Sequence, residues 1–404
     1  MIDNDVIVVG GGASGFFAAI NIAEQNPEVK VAIIERGKDV LTKVKVSGGG
    51  RCNVTHAEFI PQDLVTNYPR GEKELLGPFH MFMTGDTITW FEDRGVELKI
   101  EEDGRMFPVS NNSQTIINCF LSEAKKHNVT VLKNKPVINI EHKESKWLVN
   151  TKTETFTCKK LIIATGSNPK IWKVLEKIGH TVSPPVPSLF TFNIKDDRIK
   201  GIPGVVAKNV NIKIVDSNLE SNGPLLITHW GMSAPSILKL SAFGALELAK
   251  RSYVFSIEVN FINMEYNIAM SQLYKLKKEL NKKKIINYTQ FYLPKRLWHQ
   301  LVLASNIDLE TRWVDCTKIE IENLANQLTK AIFNVNGKST FKEEFVTAGG
   351  VNLKEVNFKN FKSKLHDNLF FIGEVLNIDA VTGGFNFQNA WTGAYIVAQN
   401  IFKT

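Results

Sequence analysis

Three glycines near the start of the chain have the spacing of a turn that binds a dinucleotide. Gly10, Gly12 and Gly15 satisfy the pattern G-x-G-x-x-G. In such a turn the first glycine permits a tight bend, the second lets the backbone approach a pyrophosphate, and the third lets the following helix pack closely on the strand. The start of that helix offers free N–H groups to the phosphates, so Gly10, Gly12, Ala13, Ser14 and Gly15 are predicted cofactor contacts.

An acidic residue follows at the distance that a ribose contact requires. Glu35 lies 20 residues after Gly15 and ends the predicted strand in "KVAIIE", with Arg36 next in the chain. A carboxylate at this position accepts hydrogen bonds from ribose hydroxyls and repels a 2′-phosphate. The pattern therefore favours FAD or NAD over NADP, and Glu35 and Arg36 are predicted cofactor contacts.

A second glycine-rich loop lies in "KVSGGGRCNVT", residues 45–55. Its glycines give another place where backbone can lie flat against a ligand. One pyrophosphate does not need two such loops, whereas a long ligand that carries a large ring does. Arg51 could pair with phosphate or ring oxygens and Asn53 could hydrogen-bond the ring edge, so the loop favours FAD. The predicted contacts here are Ser47, Gly48, Gly49, Gly50, Arg51, Cys52 and Asn53.

The elements that would position these loops are predicted from the hydrophobic pattern. Residues 5–36 indicate a strand, a helix and a second strand, and the β-branched run at 6–9 is typical of a strand covered on both faces. Residues 135–167 predict a β-meander that ends in "LIIATG", which is typical of FAD-binding halves of flavoproteins. "LFFIG" predicts another buried strand, and "TGGFNFQNAW" opens a helix whose first N–H groups could hold an anion. Further predicted cofactor contacts are Val137, Ala164, Thr165, Gly166, Gly373, Glu374, Gly384, Phe385 and Asn386.

Six blocks of the chain resemble a known family. "VVGGGASG", "KVSGGGRCNVT", "EDGRMFPVS", "THWGMSAPSILKLSAF", "FVTAGGV" and "GEVLNIDAVTGGFNFQNAW" stand in the order found in the BaiN/YhiN-like FAD flavoproteins, also labelled the aminoacetone oxidase family. The resemblance implies an α/β fold: a Rossmann-type FAD-binding domain, like the FAD half of glutathione reductase, interrupted by an inserted β-barrel with a small helical subdomain. Two positions depart from the family pattern, with Asn377 in place of an aspartate and Ala234 in place of a glycine.

Composition and periodicity predict where the domains meet. Prolines at 184, 185 and 187 suit a domain crossing, and alternating segments such as "VVAKNVNIKIVDS" predict strands of a barrel or sandwich. The pattern turns helical from about 262 to 330. We therefore predict an FAD-binding domain of residues 1–188 and 346–404, an inserted barrel of residues 189–261 and 313–345, and a helical subdomain of residues 262–312.

Five residues carry the candidate chemistry. His229 is the predicted general base, because an unperturbed histidine titrates near neutrality, and a structural histidine at a strand end is the alternative. Cys52 could touch the flavin or simply pack. Arg105 could bind a substrate carboxylate or a flavin oxygen, or fix its own loop. Trp230 could wall the flavin or fill the core, and the core is the expected place. Asp379 either replaces the acid absent at 377 or caps the following turn.

Two features of the sequence argue against a flavoprotein disulfide reductase. The inserted region contains no second G-x-G-x-x-G, and Cys52 has no cysteine near it in the chain. Any NAD(P)H is therefore expected to bind transiently, unless the organic substrate itself reduces the flavin. The bound FAD would then supply the hydride chemistry while the protein orients the substrate.

The net charge and the cysteines restrict the class of protein further. The net charge is +8, from 49 Lys and Arg against 41 Asp and Glu, and "YKLKKELNKKKI" (274–285) holds much of the excess. That run is either a solvated helix face or a contact surface for a nucleic acid or a membrane. No run of 18 apolar residues predicts a membrane span. The four cysteines lack metal-ligand and redox-pair spacing, which fits a reducing cytoplasm.

The sequence thus predicts a cytoplasmic FAD-dependent oxidoreductase that acts on a small organic substrate. Both the oxidase and the reductase direction stay open at this point, although the aminoacetone label suggests the first. The alternative is an RNA-binding, base-modifying flavoprotein that uses the Lys-rich segment. A third hypothesis is a sensor whose flavin never turns over.

Overall fold

The computed structural model of the protein describes residues 2–339 and 346–403. The chain folds into two compact units, one of residues 1–186 and 342–404 and the other of residues 187–341. Residues 340–345 lie outside the described residues, and they include the first residue of "FVTAGGV". The predicted return from the barrel to the FAD-binding domain, at 345 and 346, falls at the end of this range. The domain boundaries of the sequence analysis therefore stay predictions.

The helices and strands are numbered here in chain order. The strands are β1 (Ile2–Val9), β2 (Val31–Ile34), β3 (Thr55–His56), β4 (Leu98–Ile100), β5 (Arg105–Pro108), β6 (Thr130–Leu132), β7 (Val137–Lys143), β8 (Lys146–Thr151), β9 (Thr155–Ile163), β10 (Val182–Ser188), β11 (Thr191–Ile194), β12 (Val206–Ile214), β13 (Glu220–Ile227), β14 (Gly231–Ser233), β15 (Val254–Asn260), β16 (Ala331–Ser339), β17 (Val346–Val351), β18 (Val356–Asn357), β19 (Lys362–Ser363) and β20 (Leu369–Phe371). The α-helices are α1 (Ala13–Gln25), α2 (Thr42–Gly50), α3 (Pro61–Val65), α4 (Glu72–Phe79), α5 (Thr84–Glu92), α6 (Ser113–Lys126), α7 (Pro169–Lys177), α8 (Pro235–Phe243), α9 (Ala245–Lys250), α10 (Tyr266–Glu279), α11 (Lys295–Ala304), α12 (Lys318–Thr329) and α13 (Phe385–Asn400).

The first unit is built on a parallel sheet. Its central strands stand in the order β20-β9-β1-β2-β6, and each of these neighbouring pairs is parallel. Val8 on β1 lies between Ile33 and Ile162 and is fully buried, as expected for a strand that is covered on both faces. Since parallel strands end at one edge, the loops that follow β1, β2, β9 and β20 converge there. The predicted Rossmann-type fold is confirmed.

The meander and two helices complete this unit around the sheet. Strands β7 and β8 form an antiparallel hairpin, and β8 pairs with the first half of β9, as the sequence predicts. Helices α1 and α13 pack together, and Phe17 of α1 lies 4.4 Å from the ring of Trp90 and 5.2 Å from that of Trp391. These buried rings fix the position of α1 and therefore of the turn that precedes it.

The second unit is a closed antiparallel barrel with attached helices. Its strand order is β11-β14-β13-β12-β15-β16, and the last strand pairs with the first. The inserted barrel that the family resemblance implies is therefore confirmed. Residues 318–329, which the sequence analysis assigns to the barrel domain, form helix α12, which begins with a capping box between Thr317 and Glu320. Trp298 and Trp313 are fully buried in the core of this unit.

Two further findings concern membranes and thiols. Across residues 2–339 and 346–403, no helix combines the length and the apolar composition needed to cross a bilayer. The four cysteines are buried and none of them forms a disulfide.

Candidate cofactor site

The first glycine turn separates the glycines that the fold requires from one that it does not. A Cβ on Gly10 would lie 2.4 Å from the carbonyl oxygen of Ala164, and a Cβ on Gly15 would lie 2.0 Å from the carbonyl oxygen of Gly10. Both residues must therefore be glycine for β9 and α1 to pack on the turn. A Cβ on Gly12 would meet nothing within 4 Å, and its φ of −92° suits any residue. A ligand that contacts the backbone explains Gly12, and the pyrophosphate of FAD is such a ligand.

Glu35 is held at the edge of the sheet by two backbone amides. Gly11 N–H donates to its Oε2 at 2.8 Å, and Gly37 N–H donates to its Oε1 at 2.7 Å. Each carboxylate oxygen has a second lone-pair direction that can accept a hydroxyl. The carboxylate also orders the first glycine turn, so a ribose contact and the shape of the phosphate loop depend on the same side chain.

An open cleft lies beside Glu35. Three cationic side chains stand around it, which suits a dinucleotide phosphate. The predicted contacts Gly10, Glu35, Arg36, Val137 and Thr165 meet here. Sequence reasoning missed Lys135, Asn168, Lys170 and Ile171. The signal for Asn168 and Lys170 was "SNPK", in which Asn168 caps helix α7 and accepts from the N–H of Lys170 at 3.1 Å. The lining residues are Val9, Gly10, Ile34, Glu35, Arg36, Lys135, Pro136, Val137, Thr165, Asn168, Lys170 and Ile171.

The second glycine loop breaks the end of helix α2. Ser47, Gly48 and Gly49 are not helical, and Gly48, Gly49 and Gly50 have φ values of 57°, 68° and 84°. A Cβ on Gly49 or Gly50 would meet nothing within 4 Å. Bare backbone thus borders open space here, as it does at Gly12. The predicted contact Asn53 accepts a hydrogen bond from the N–H of Met106 at 3.2 Å, which ties the loop to strand β5.

Two predicted cationic residues meet on one carboxylate. Arg51 lies 2.6 Å from Glu101 and stacks over the ring of Phe107 at 3.8 Å. Arg105 lies 3.3 Å from Glu101 and 2.7 Å from Asp103. The arrangement fixes the hairpin of β4 and β5 against the second glycine loop, which supports the loop-fixing alternative for Arg105.

Cys52 lies inside this loop with its thiol fully buried. Burial raises the pKa of Cys52 to about 12, and a hydrogen bond with Ser47 only partly offsets this effect. A thiol that stays protonated at neutral pH is a poor nucleophile. The geometry therefore favours the packing alternative for Cys52.

The loop after β20 joins the ends of α1 and β9. Glu374 accepts from Lys43 Nζ at 2.6 Å, and its Oε2 would lie 3.6 Å from a Cβ on Gly166. A Cβ on Gly373 would lie 3.0 Å from Ser14 Oγ. Four predicted contacts from distant parts of the sequence, Ser14, Gly166, Gly373 and Glu374, are thus brought to the same edge of the sheet.

The start of helix α13 packs on β3, directly after the second glycine loop. Gly384 has a φ of 97°, and a Cβ there would lie 2.6 Å from the backbone of Thr55. Phe385 stacks on His56 with ring centroids 4.5 Å apart. The Nδ1 of His56 lies 3.0 Å from the carbonyl oxygen of Gly383. Since a carbonyl only accepts, Nδ1 carries the proton. His56 is a candidate that sequence reasoning missed, although it adjoins the quoted "KVSGGGRCNVT".

Asn386, also predicted as a contact, holds the backbone of the preceding turn. Its side chain accepts from the N–H of Ala380 at 3.0 Å and donates to the Ala380 carbonyl at 3.2 Å. Next to this turn, Asp379 is fully buried and forms a bidentate ion pair with Arg70. The Asp379 carboxylate thus neutralises the part-buried guanidinium of Arg70, and its role in place of an acid at 377 or as a cap of the turn stays a prediction. Asn377 donates to Ser183 Oγ at 3.4 Å.

His229 and Trp230 belong to the second unit, on the turn between β13 and β14. His229 is exposed, and its assignment as general base stays a prediction. Trp230 is 38% exposed, and its Nε1 donates to Thr191 Oγ1 at 3.2 Å. The expectation that Trp230 fills the core is therefore wrong, because the turn carries the indole outward.

A parallel sheet with two glycine loops, an acid after β2 and a helix start after β20 defines a Rossmann-type flavoprotein. Residues 4–400 match the family described as "HI0933-like protein Rossmann domain", and the chain belongs to this family of FAD-dependent oxidoreductases. The predicted family resemblance is confirmed. The residues of both loops fit FAD, because Gly12, Gly49 and Gly50 leave backbone bare toward open space.

Relatives and solved structures match along the whole chain. The chain is 27% identical to the ribosomal RNA dihydrouridine synthases of Haemophilus influenzae and of Escherichia coli, over 98% of each chain. It is 24% identical to the 3-dehydro-bile acid delta(4,6)-reductase of Clostridium scindens, again over 98% of both chains. Among solved structures, a 3-ketosteroid delta1-dehydrogenase from Sterolibacterium denitrificans superposes with a TM-score of 0.51 at 12% identity, over 99% of both chains. That likeness shows the fold.

Proposed function

We propose that this protein reduces a carbon–carbon double bond that is conjugated with a carbonyl, and that its substrate is a uracil base of ribosomal RNA. The observation that carries the proposal is the shared chemistry of the full-length relatives. A dihydrouridine synthase saturates the C5=C6 bond of uracil, and a delta(4,6)-reductase saturates bonds conjugated with a 3-oxo group. In both reactions a hydride adds at a carbon conjugated with the carbonyl and a proton adds at a neighbouring carbon.

The residues of the first unit divide the work of holding the cofactor. In this proposal Gly12 and the start of α1 hold the pyrophosphate, and Glu35 accepts hydrogen bonds from the ribose hydroxyls. The loop at 47–50 and the start of α13 border the flavin ring. Bound FAD supplies the hydride in its reduced form. The NAD(P)H that would reduce it binds transiently, because the sequence has no second dinucleotide turn.

A proton donor is also required, and the chain offers two candidates. The Nδ1–H of His56 donates a hydrogen bond to the Gly383 carbonyl, so Nε2 is the atom that would exchange a proton with the substrate. His229, predicted from the sequence, is the second. Replacement of the donor by glutamine is expected to slow substrate reduction and to leave the reduction of the flavin by NAD(P)H unchanged.

The charge distribution favours RNA over a small neutral substrate. Residues 187–341 carry 20 Lys and Arg against 13 Asp and Glu, so +7 of the net charge of +8 lies in the second unit. A polyanion is attracted by such an excess, whereas a steroid or a small enone is not.

The experiment uses the purified holoprotein under anaerobic conditions. The flavin is reduced with NADH or NADPH, and either an unmodified ribosomal RNA transcript or a 3-oxo-Δ4 steroid is then added. Return of the visible flavin band with RNA, together with a mass gain of two hydrogens on one uridine, is the expected result. Return of the band with the steroid alone would instead establish the second candidate, a small-molecule ene-reductase, which the Clostridium scindens relative favours.

A further inference from the structure

One stretch of the second unit carries a high density of positive charge. Residues 274–296 contain eight basic residues and a single acid, Glu279. Some of the charge is used within the unit, since Lys284 pairs with Glu310 and Lys277 donates to the carbonyl of Cys316. The basic residues are Lys275, Lys277, Lys278, Lys282, Lys283, Lys284, Lys295 and Arg296.

Aromatic rings project from the same stretch. Tyr292 is fully exposed and Tyr288 is 39% exposed. Lys283 Nζ lies 5.5 Å from the ring centroid of Tyr288, so charge and ring share one surface. Exposed aromatic rings that share a surface with lysines are the combination on which single-stranded nucleic acid stacks.

The backbone that carries these rings is held in an unfavourable conformation. Phe291 and Tyr292 have φ values of 56° and 57°, in the left-handed region that bulky residues avoid. The segment is anchored on both sides by the buried side chains of Ile285, Ile286 and Leu293. Strain of this kind persists only where surrounding packing enforces it, and it clusters at functional positions.

We propose that residues 282–296 form a binding surface for single-stranded RNA, here called the basic aromatic surface. Lys282, Lys283 and Lys295 would contact phosphates, and Tyr288 and Tyr292 would stack on unpaired bases. This inference rests on the proposed function, to which it adds the surface that holds the substrate strand.

The apolar residues of the segment favour RNA over an anionic membrane. Ile285, Ile286 and Leu293 are buried, so the surface offers lysines and tyrosine rings but no aliphatic side chain to insert among lipid tails. Base stacking uses an aromatic face together with nearby cations, and membrane insertion requires apolar area.

The test measures binding of a fluorescent 12-nucleotide oligouridine to the holoprotein by anisotropy at several salt concentrations. Tyr292→Ala is expected to weaken binding about tenfold through lost stacking, and Tyr292→Phe is expected to restore it. Lys282→Gln with Lys283→Gln is expected to reduce the slope of log K against log salt by about 1.4, since each phosphate contact of a single strand contributes about 0.7.

The matched control is Lys239→Gln with Lys250→Gln, two exposed lysines on helices α8 and α9 of the same unit. An equal change of slope in this control would overturn the surface, because the effect would then be one of net charge. Unchanged binding in both Tyr292→Ala and the Lys282, Lys283 variant would overturn it as well.

Measurement of dihydrouridine formation on ribosomal RNA distinguishes a failure of this inference from a failure of the proposed function. A wild-type protein that makes dihydrouridine while all variants bind RNA normally would leave the function in place and remove the surface. A wild-type protein that neither binds RNA nor modifies it would remove both. Loss of binding to phosphatidylserine vesicles in the same variants, with no binding of oligouridine by the wild type, would assign the segment to membranes and overturn the inference.

Discussion

The two units of the molecule differ in how they carry charge and glycine. The first unit contains 29 Lys and Arg against 28 Asp and Glu, which is what remains of 49 and 41 after the 20 and 13 of the second. It also contains 21 of the 27 glycines. In the proposed function, the first unit holds FAD with bare backbone and the second holds RNA with cationic side chains. Recognition by shape and recognition by charge would then be separated along the chain, so substitutions can test them one at a time.

The largest expected effect distinguishes two glycines of the first turn. In Gly15→Ala the new Cβ would lie 2.0 Å from the carbonyl oxygen of Gly10, so α1 must move away from the sheet and the first unit unfolds or loses several kcal/mol, roughly the range of a severe steric substitution. In Gly12→Ala nothing opposes the methyl group within 4 Å. Its cost to folding is at most about 1 kcal/mol, while FAD retention is expected to fall at least about tenfold.

Circular dichroism and the ratio of flavin to protein absorbance separate these outcomes. If Gly12→Ala keeps its flavin at the wild-type ratio, the turn is not the pyrophosphate site. Binding of oligouridine should survive in Gly12→Ala, since the substitution does not touch the second unit; a parallel loss of RNA binding would break the comparison between the units.

The second effect concerns the buried ion pair of the first unit. Asp379 is fully buried against Arg70, whose side chain is 11% exposed, so Asp379→Asn removes a buried carboxylate from this ion pair and is expected to cost about 3–5 kcal/mol. Urea unfolding followed by flavin release measures this change. Asp315→Asn in the second unit is the control, because Asp315 pairs with Arg312 in solvent and no shift of the midpoint is expected. Equal shifts in the two variants would show that burial does not decide the strength of these pairs.

A third prediction concerns pH and a histidine at the edge of the sheet. His180 donates from Nδ1 to Glu355 at 2.9 Å, its Nε2 accepts from Ser363 Oγ at 3.1 Å, and the ring of His366 lies 5.6 Å away. Burial lowers the pKa of His180 below 6.5, an effect that the Glu355 carboxylate only partly opposes. Below pH 6.5 the unfolded chain therefore binds a proton that the folded chain does not, and stability falls as pH falls.

The loss is expected to reach up to about 1.4 kcal/mol per pH unit while His180 stays neutral in the folded state. Burial tends to raise the pKa of Glu355, but hydrogen bonds from Thr181 and His180 lower it overall from 4.5, so a further loss follows below pH 4.5. His180→Gln should flatten the profile between pH 7 and 5. A wild-type protein that gains stability on acidification from pH 7 to 5.5 would contradict the assignment.

The elements that a local pattern specifies could be predicted from the sequence. The turn at Gly10, the strand that ends at Glu35 and the start of α13 each follow from glycine spacing and an adjacent apolar run. The pair of Arg70 and Asp379 could not be predicted, because its partners lie 309 residues apart and the local pattern around each residue does not point to the other.

The sequence also did not predict which of these side chains are exposed and which residues they contact. Trp230 has the composition of a core residue, yet the turn between β13 and β14 exposes it, and His56 gains its place from Gly383 and Phe385 near the other end of the chain. Only the tertiary fold supplies such contacts. Of the two positions that depart from the family pattern, one has an effect that is visible in the backbone dihedral angles.

That position is Ala234, in the second unit, and it carries the smallest expected effect. Its φ of 84° and ψ of 174° fall in a region that is essentially restricted to glycine. Ala234→Gly removes the backbone strain of the folded state, and the greater conformational entropy of glycine in the unfolded state offsets part of that gain. The free energy of unfolding should therefore rise by about 1 kcal/mol. The urea midpoint of the barrel, followed by loss of oligouridine binding, measures the change. Ala249→Gly in helix α9 is the matched control with the opposite sign, since glycine weakens an ordinary helix by about 1 kcal/mol. If both substitutions destabilise the barrel, the conformation at Ala234 is not strained. If Ala234→Gly also changes flavin retention, the two units do not respond independently, and the separation of shape from charge would have to be given up.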